Sequence, residues 1–123
     1  MMPFTLRTIQ SEAKYQADKK AGRTIPLHKE PILQRFTHWF LIDNRYPYDA
    51  AFTTHHMLLP YSRVSHRNEL NEAELRELKE IFTYFVEPNY DVILDNTTKR
   101  RSVSDHYHVH LLTYKTDRAS YEA

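Results

Sequence analysis

The chain contains no cysteine and only one glycine, Gly22. Without cysteine there is no disulfide, no thiolate nucleophile and no Cys-built zinc site, and a reducing compartment is expected. With one glycine, neither a P-loop nor a dinucleotide fingerprint can be written. A bound phosphate must then be met by side chains, ordinary backbone amides or a helix N-terminus. Charge of one sign is also missing: 17 Lys and Arg face 16 Asp and Glu, a formal net of +1. No global field draws the chain to a membrane surface or a DNA duplex, so any attraction for anions is local. No apolar run approaches a membrane span, and Met1 to Tyr15 mixes charge and polarity without a secretory apolar segment. A cytoplasmic protein with no membrane contact is the expectation.

What is present suits one globular domain over residues 1–123, with 41% hydrophobic and 27% charged residues around a single modest core. Leu6, Ile9, Ala13 and Ala17 recur at helical spacing and Gly22 follows, which predicts an amphipathic helix over Thr5 to Ala21. Pro26 and Pro31 bracket an extended connector. Aromatic and β-branched residues predict strands at Phe36 to Asp43, at His55 to Leu59 before Pro60, and at Tyr90 to Leu94. Between the last two, Asn71 with Glu74 forms a capping box for a helix. Ala73, Leu75, Leu78, Ile81, Phe82 and Phe85 give it one apolar face, and Pro88 ends it. A polar basic loop runs from Asp95 to Ser104, and a last strand from Asp105 to Tyr114. The pattern predicts an α+β domain. Its core is expected at about 36–114, with a helical extension over 1–30 and a tail over 115–123.

Histidine occurs eight times, and three of the eight stand in strict alternation at His106, His108 and His110. On a strand these positions share one face, while Tyr107, Val109 and Leu111 point the other way. Three imidazoles on one face bring no packing benefit, and they repel one another when protonated. A metal site and a phosphoryl-transfer site both explain them better than a solvated polar face. A nucleophilic histidine needs a neutral nitrogen aimed at phosphorus, a partner for its other nitrogen, and donors for the phosphate oxygens. A metal would take two of the three plus a carboxylate or a distant histidine.

The run His106 to Leu112 matches His-φ-His-φ-His-φ-φ at every position and resembles the signature of the histidine-triad superfamily. Upstream, His55-His56-Met57-Leu58-Leu59-Pro60 resembles the strand in which a histidine opens an apolar run ending in proline. Tyr90 to Asn96 resembles the strand that delivers an asparagine shortly before the triad. The resemblance covers roughly Phe36 to Tyr114. It implies an antiparallel sheet of about five strands with one long helix and an N-terminal helix, a homodimer, and chemistry at a nucleotide's phosphate through a covalent nucleotidyl-histidine. By motif position His108 would be the nucleophile and His110 would hydrogen-bond the phosphate. His106 would orient the strand and leaving group, and Asn96 would meet the sugar–phosphate region. One of His55 and His56 would complete the site, with His55 favoured because it stands further from Pro60.

Two departures bear on substrate. The loop before the triad holds Lys99, Arg100, Arg101 and Ser104 where the family has small or Gly-rich residues, and these four become candidate substrate contacts. The family's Pro-x-x-His appears as Pro60-Tyr61-Ser62-Arg63. Tyr46, Tyr48, Trp39 and Phe52 are aromatic candidates for a stacking wall or for core, and Asp43 for a ribose contact or a loop cap. His28, His38 and His66 are expected to be structural or surface residues. The leading expectation is a hydrolase or transferase of nucleoside phosphoramidates or dinucleoside polyphosphates that needs no cofactor and no metal. A metal-binding protein and a nucleotide or RNA-end binder without turnover are the alternatives.

Overall fold

The computed structural model describes residues 5–97 and 105–115. Strands β1 (Ile32–Arg35), β2 (Trp39–Asp43), β3 (Phe52–Pro60), β4 (Val92–Leu94) and β5 (Val109–Tyr114) form one antiparallel sheet in the order β1-β2-β3-β5-β4. Helix α1 (Ile9–Lys20) precedes the sheet, and α2 (Glu72–Ile81) follows β3. The fold is α+β, and among the described residues no helix is long and apolar enough to cross a membrane.

Side-chain alternation divides the sheet into two faces. Trp39, Leu41, Leu58, Tyr107, Val109 and Leu111 pack against Leu78 and Ile81 of α2 and against Val86. Burying each such side chain contributes about 1.5–3 kcal/mol. The opposite face carries Phe40, Ile42, Met57 and Leu59, flanked by half-buried Leu27 and Ile32. The histidines of the triad stand on this second face, beside Met57, the register partner of His110.

Helix α2 begins as its sequence predicts. The Asn71 side chain accepts the Glu74 amide while the Glu74 carboxylate accepts the Asn71 amide, an arrangement contributing about 1 kcal/mol. It does not stop at Pro88. Over Phe82–Val86 the hydrogen bonding slips to a π-turn, the Glu87 amide reaching the Phe82 carbonyl, and a last helical turn spans Glu87–Asn89. Pro88 has no amide hydrogen and crowds the carbonyl four residues back, which accounts for a slip just before it.

The single strand expected from Phe36 to Asp43 is instead a turn followed by β2, and β1 (Ile32–Arg35) forms just after the expected connector, where no strand was expected. The Glu77 carboxylate of α2 draws the Thr37 and His38 amides out of the ladder, at 3.1 and 2.6 Å. Helix α1 also differs from expectation. Ile9 is 74% exposed and Ala13 and Ala17 face solvent, while Tyr15 is buried and Ser11, Glu12 and Asp18 are half-buried. Polar contacts dock this helix, so its apolar periodicity misstates its inner face.

Candidate active site

The ladder of β5 begins only at Val109, because Tyr107 leaves β3 and donates its amide to the Val64 carbonyl. The alternation nevertheless persists through His106 and His108. The triad and His55 of β3 lie together on the second sheet face, each between 2% and 4% exposed. Buried imidazoles are costly to protonate, so their state is set by local hydrogen bonds.

Those bonds assign every ring. His106 donates Nε2–H to the Pro60 carbonyl at 2.8 Å. Its Nδ1 is the one buried side-chain nitrogen or oxygen without a hydrogen-bond partner among the described residues. Burial lowers the His106 pKa, against the opposing pull of the Pro60 carbonyl. His108 donates Nδ1–H to the His106 carbonyl at 2.9 Å. In the neutral His108 ring the lone pair therefore sits at Nε2.

A second chain of bonds starts from the backbone. The Tyr48 amide donates to His55 Nδ1 at 3.0 Å, and a backbone N–H can only donate. The proton of neutral His55 is thereby placed on Nε2, which meets His110 Nδ1 at 2.7 Å. His110 accepts there and must carry its own proton on Nε2. Burial, then the charges of Arg7, His108 and His56, push the His55 pKa down to about 3. Burial, then His108, His55 and Arg7, hold His110 well below its ordinary value. The Asn44 amide nitrogen lies 3.2 and 3.1 Å from the two His55 ring nitrogens, a position over the ring, while its oxygen accepts the Tyr46 amide.

His108 and His110 open on a cleft of about 160 Å³. Arg7, Tyr15 and Lys19 from the N-terminal segment form one wall, and Asn44, Tyr46 and Tyr48 from the loop after β2 form another. Two of its cations are already paired, Arg7 with Glu12 and Arg45 with Glu30, at 3.1 and 2.9 Å. The Tyr48 ring stacks on His110 at 5.2 Å, and its phenol interacts with the Asn96 side chain.

No family model matches this chain, and no curated protein does.

The sequence-predicted residues separate clearly. His106, His108, His110 and His55 come together, and Asn96 reaches them through Tyr48. His56 does not belong with them. As a neighbour of His55 on one strand it must face the other way, and it accepts the Tyr90 hydroxyl at 2.6 Å on the helix side. Burial raises the Tyr90 phenol to about 12 and lowers His56, so this proton stays on oxygen. His56 is thus removed from the substrate contacts. Ser104, Lys99, Arg100 and Arg101 lie outside the described residues. Trp39 is fully buried in the helix-side core and Phe52 stacks on Tyr114, so neither lines the cleft, whereas Tyr46 and Tyr48 do. Among the described residues no group of His, Asp and Glu is disposed to hold a metal ion.

Sequence reasoning missed Arg7, Asn44 and the Tyr48 amide. Nothing local to Arg7 marks it, and a backbone amide has no sequence signature.

Proposed function

We propose that this chain is a histidine-triad-type nucleotide hydrolase or transferase with the fold of that superfamily, acting at a nucleotide's α-phosphate. The observation that carries the proposal is the pairing of opposite tautomers. His108 offers a lone pair at Nε2, and His110, whose ring centroid is 5.0 Å away, carries its proton at Nε2. One ring is equipped to attack phosphorus and the other to donate to a phosphate oxygen, on one wall of one cleft.

In the step this supports, His108 Nε2 forms a bond to the α-phosphorus. The bond from phosphorus to the leaving group breaks, and the leaving group departs with the electron pair and takes up a proton. The His106 carbonyl, already bonded to Nδ1–H, steadies the positive charge on the substituted ring. His110 Nε2–H meets the charge on a non-bridging oxygen. Water then attacks phosphorus and loses a proton to solvent, the phosphorus–Nε2 bond breaks with its electron pair returning to Nε2, and the nucleoside monophosphate leaves neutral His108 behind. Because His55 and His110 resist protonation, the donor arrangement is complete at neutral pH.

The substrates this predicts are nucleoside phosphoramidates and dinucleoside polyphosphates, turned over by a homodimer without a cofactor. Steady-state assays of both substrate classes with His108→Ala test it. Loss of the nucleophile costs about 10³-fold or more in kcat. Near wild-type turnover by that variant would reject the assignment.

A further inference from the structure

The tautomer chain that prepares His110 begins at the Tyr48 amide, and Tyr48 lies in the loop between β2 and β3, outside the sheet ladder. The position of that amide depends on what holds the loop. From within, the Asn44 side chain accepts the Tyr46 amide at 2.8 Å. From outside, the holding groups come from a segment some forty residues earlier. Arg7 donates Nε–H to the Tyr46 carbonyl at 2.8 Å, and the Leu6 carbonyl accepts the Ala50 amide at 3.1 Å. The Asp49 carboxylate accepts the Thr8 amide at 3.0 Å and also the Ser11 hydroxyl. These bonds reach Tyr46, Asp49 and Ala50, on both sides of Tyr48.

Arg7 does a second thing. Its guanidinium lies over the rings of Tyr15 and Tyr48, at 4.3 and 5.1 Å, and the Tyr48 ring is also stacked on His110. Glu12 fixes the guanidinium at 3.1 Å, and the Arg7 side chain is only 9% exposed. Arg7 and His110 therefore both hold the Tyr48 ring, while the backbone bonds hold the loop on either side of it.

We propose that the N-terminal segment from Leu6 to Glu12 is a clasp that sets the tautomer of the His55–His110 pair, with Arg7 and Asp49 as its positioning residues. Docking of α1 and readiness of His110 are then one event. If the clasp opens, the Tyr48 amide withdraws and His55 Nδ1 loses its donor. Both rings then become free to exchange the proton between their two nitrogens, and His110 presents a lone pair to the cleft for part of the time. The bond that sets the His108 tautomer does not pass through the loop, because its Nδ1–H donates to the His106 carbonyl two residues back. The structural claim stands by itself; its catalytic consequence rests on the function proposed above.

The test is imidazole nitrogen–proton correlation NMR on the full chain, labelled with nitrogen-15 at histidine, at neutral pH. In the wild type His55 and His110 should each show a single tautomer protonated at Nε2, and His108 a single tautomer protonated at Nδ1. In Arg7→Met combined with Asp49→Ala, the His110 nitrogens should move to values averaged over both tautomers while those of His108 stay in place. The unchanged His108 signals also show that the sheet is folded. Asp49→Asn, which keeps shape and removes charge, should give a smaller shift in the same direction. His110 remaining purely Nε2-protonated in a folded variant of either kind would overturn the proposal and leave α1 as a stabilising appendage.

On substrate, a fall of the Nε2–H tautomer to about one molecule in ten lowers kcat about tenfold and leaves KM nearly unchanged. A wild type that turns over no nucleotide, yet shows the tautomer response, would sink the proposed function and keep the clasp. A wild type that is active, with kcat and His110 both unmoved in the variants, would do the reverse.

Discussion

His55 Nε2 and His110 Nδ1 face each other across 2.7 Å, and this contact joins β3 to β5 through two buried, uncharged rings. Each ring is satisfied only because the other holds its proton in the right place. His55→Ala would leave both His110 Nδ1 and the Tyr48 amide without partners. A buried polar group stripped of its partner costs about 1–3 kcal/mol, so a loss of at least about 2 kcal/mol in urea unfolding is expected. His55→Gln, whose carboxamide can donate to His110, should lose less. A loss below about 0.5 kcal/mol in the alanine variant would contradict the pairing, since that is the range of ordinary surface changes.

The same burial makes stability depend on pH in a defined direction. His55, His106 and His110 all have pKa values lowered from 6.5 in the folded protein, His55 to about 3. The unfolded chain therefore takes up protons near pH 6.5 that the folded chain refuses until lower pH. Stability contributed by these rings is complete above about 6.5 and is lost as pH falls toward the folded values, at up to ~1.4 kcal/mol per pH unit per proton. Urea midpoints measured from pH 7.5 down to pH 5 should fall steadily, beginning above the range where carboxylates titrate. A flat profile across that window would contradict the assigned neutral state.

Much of this was legible in the sequence, and the losses have physical causes. The triad showed itself because alternation on a strand is a strong pattern, and the favoured choice of His55 over His56 agrees with the geometry. Helix α2 was announced by Asn71 and Glu74, two side chains that satisfy each other locally. What failed was set by distant partners. The turn before β2 exists because Glu77 captures Thr37 and His38 from forty residues away. The inner face of α1 is polar because Asp49 and Tyr46 wait for it. Neither fact is encoded within the segment it shapes.

Homodimerisation is a further expectation of the proposed function. The sheet ends on β4, a strand of three residues whose Ile93 is 40% exposed, and among the described residues its outer edge has no neighbouring strand. Edges of this kind are commonly covered by pairing. Light scattering at micromolar concentration should return a mass of two chains. A mass of one chain across that range would remove the dimer from the account.

The covalent step itself is open to direct observation. Protein incubated with a nucleotide substrate radioactive at its α-phosphorus, with chelator present and no added transition metal, should carry label after denaturation. A bond from phosphorus to imidazole nitrogen is labile to acid and stable to base, and the label should share both properties. It should be absent from His108→Ala and present, at lower yield, in His55→Gln. Label formed by wild type and lost in His108→Ala, with chelator present throughout, is the result predicted here. Activity that vanishes with chelator and returns with zinc, or nucleotide that binds without any label forming, would contradict covalent catalysis by His108.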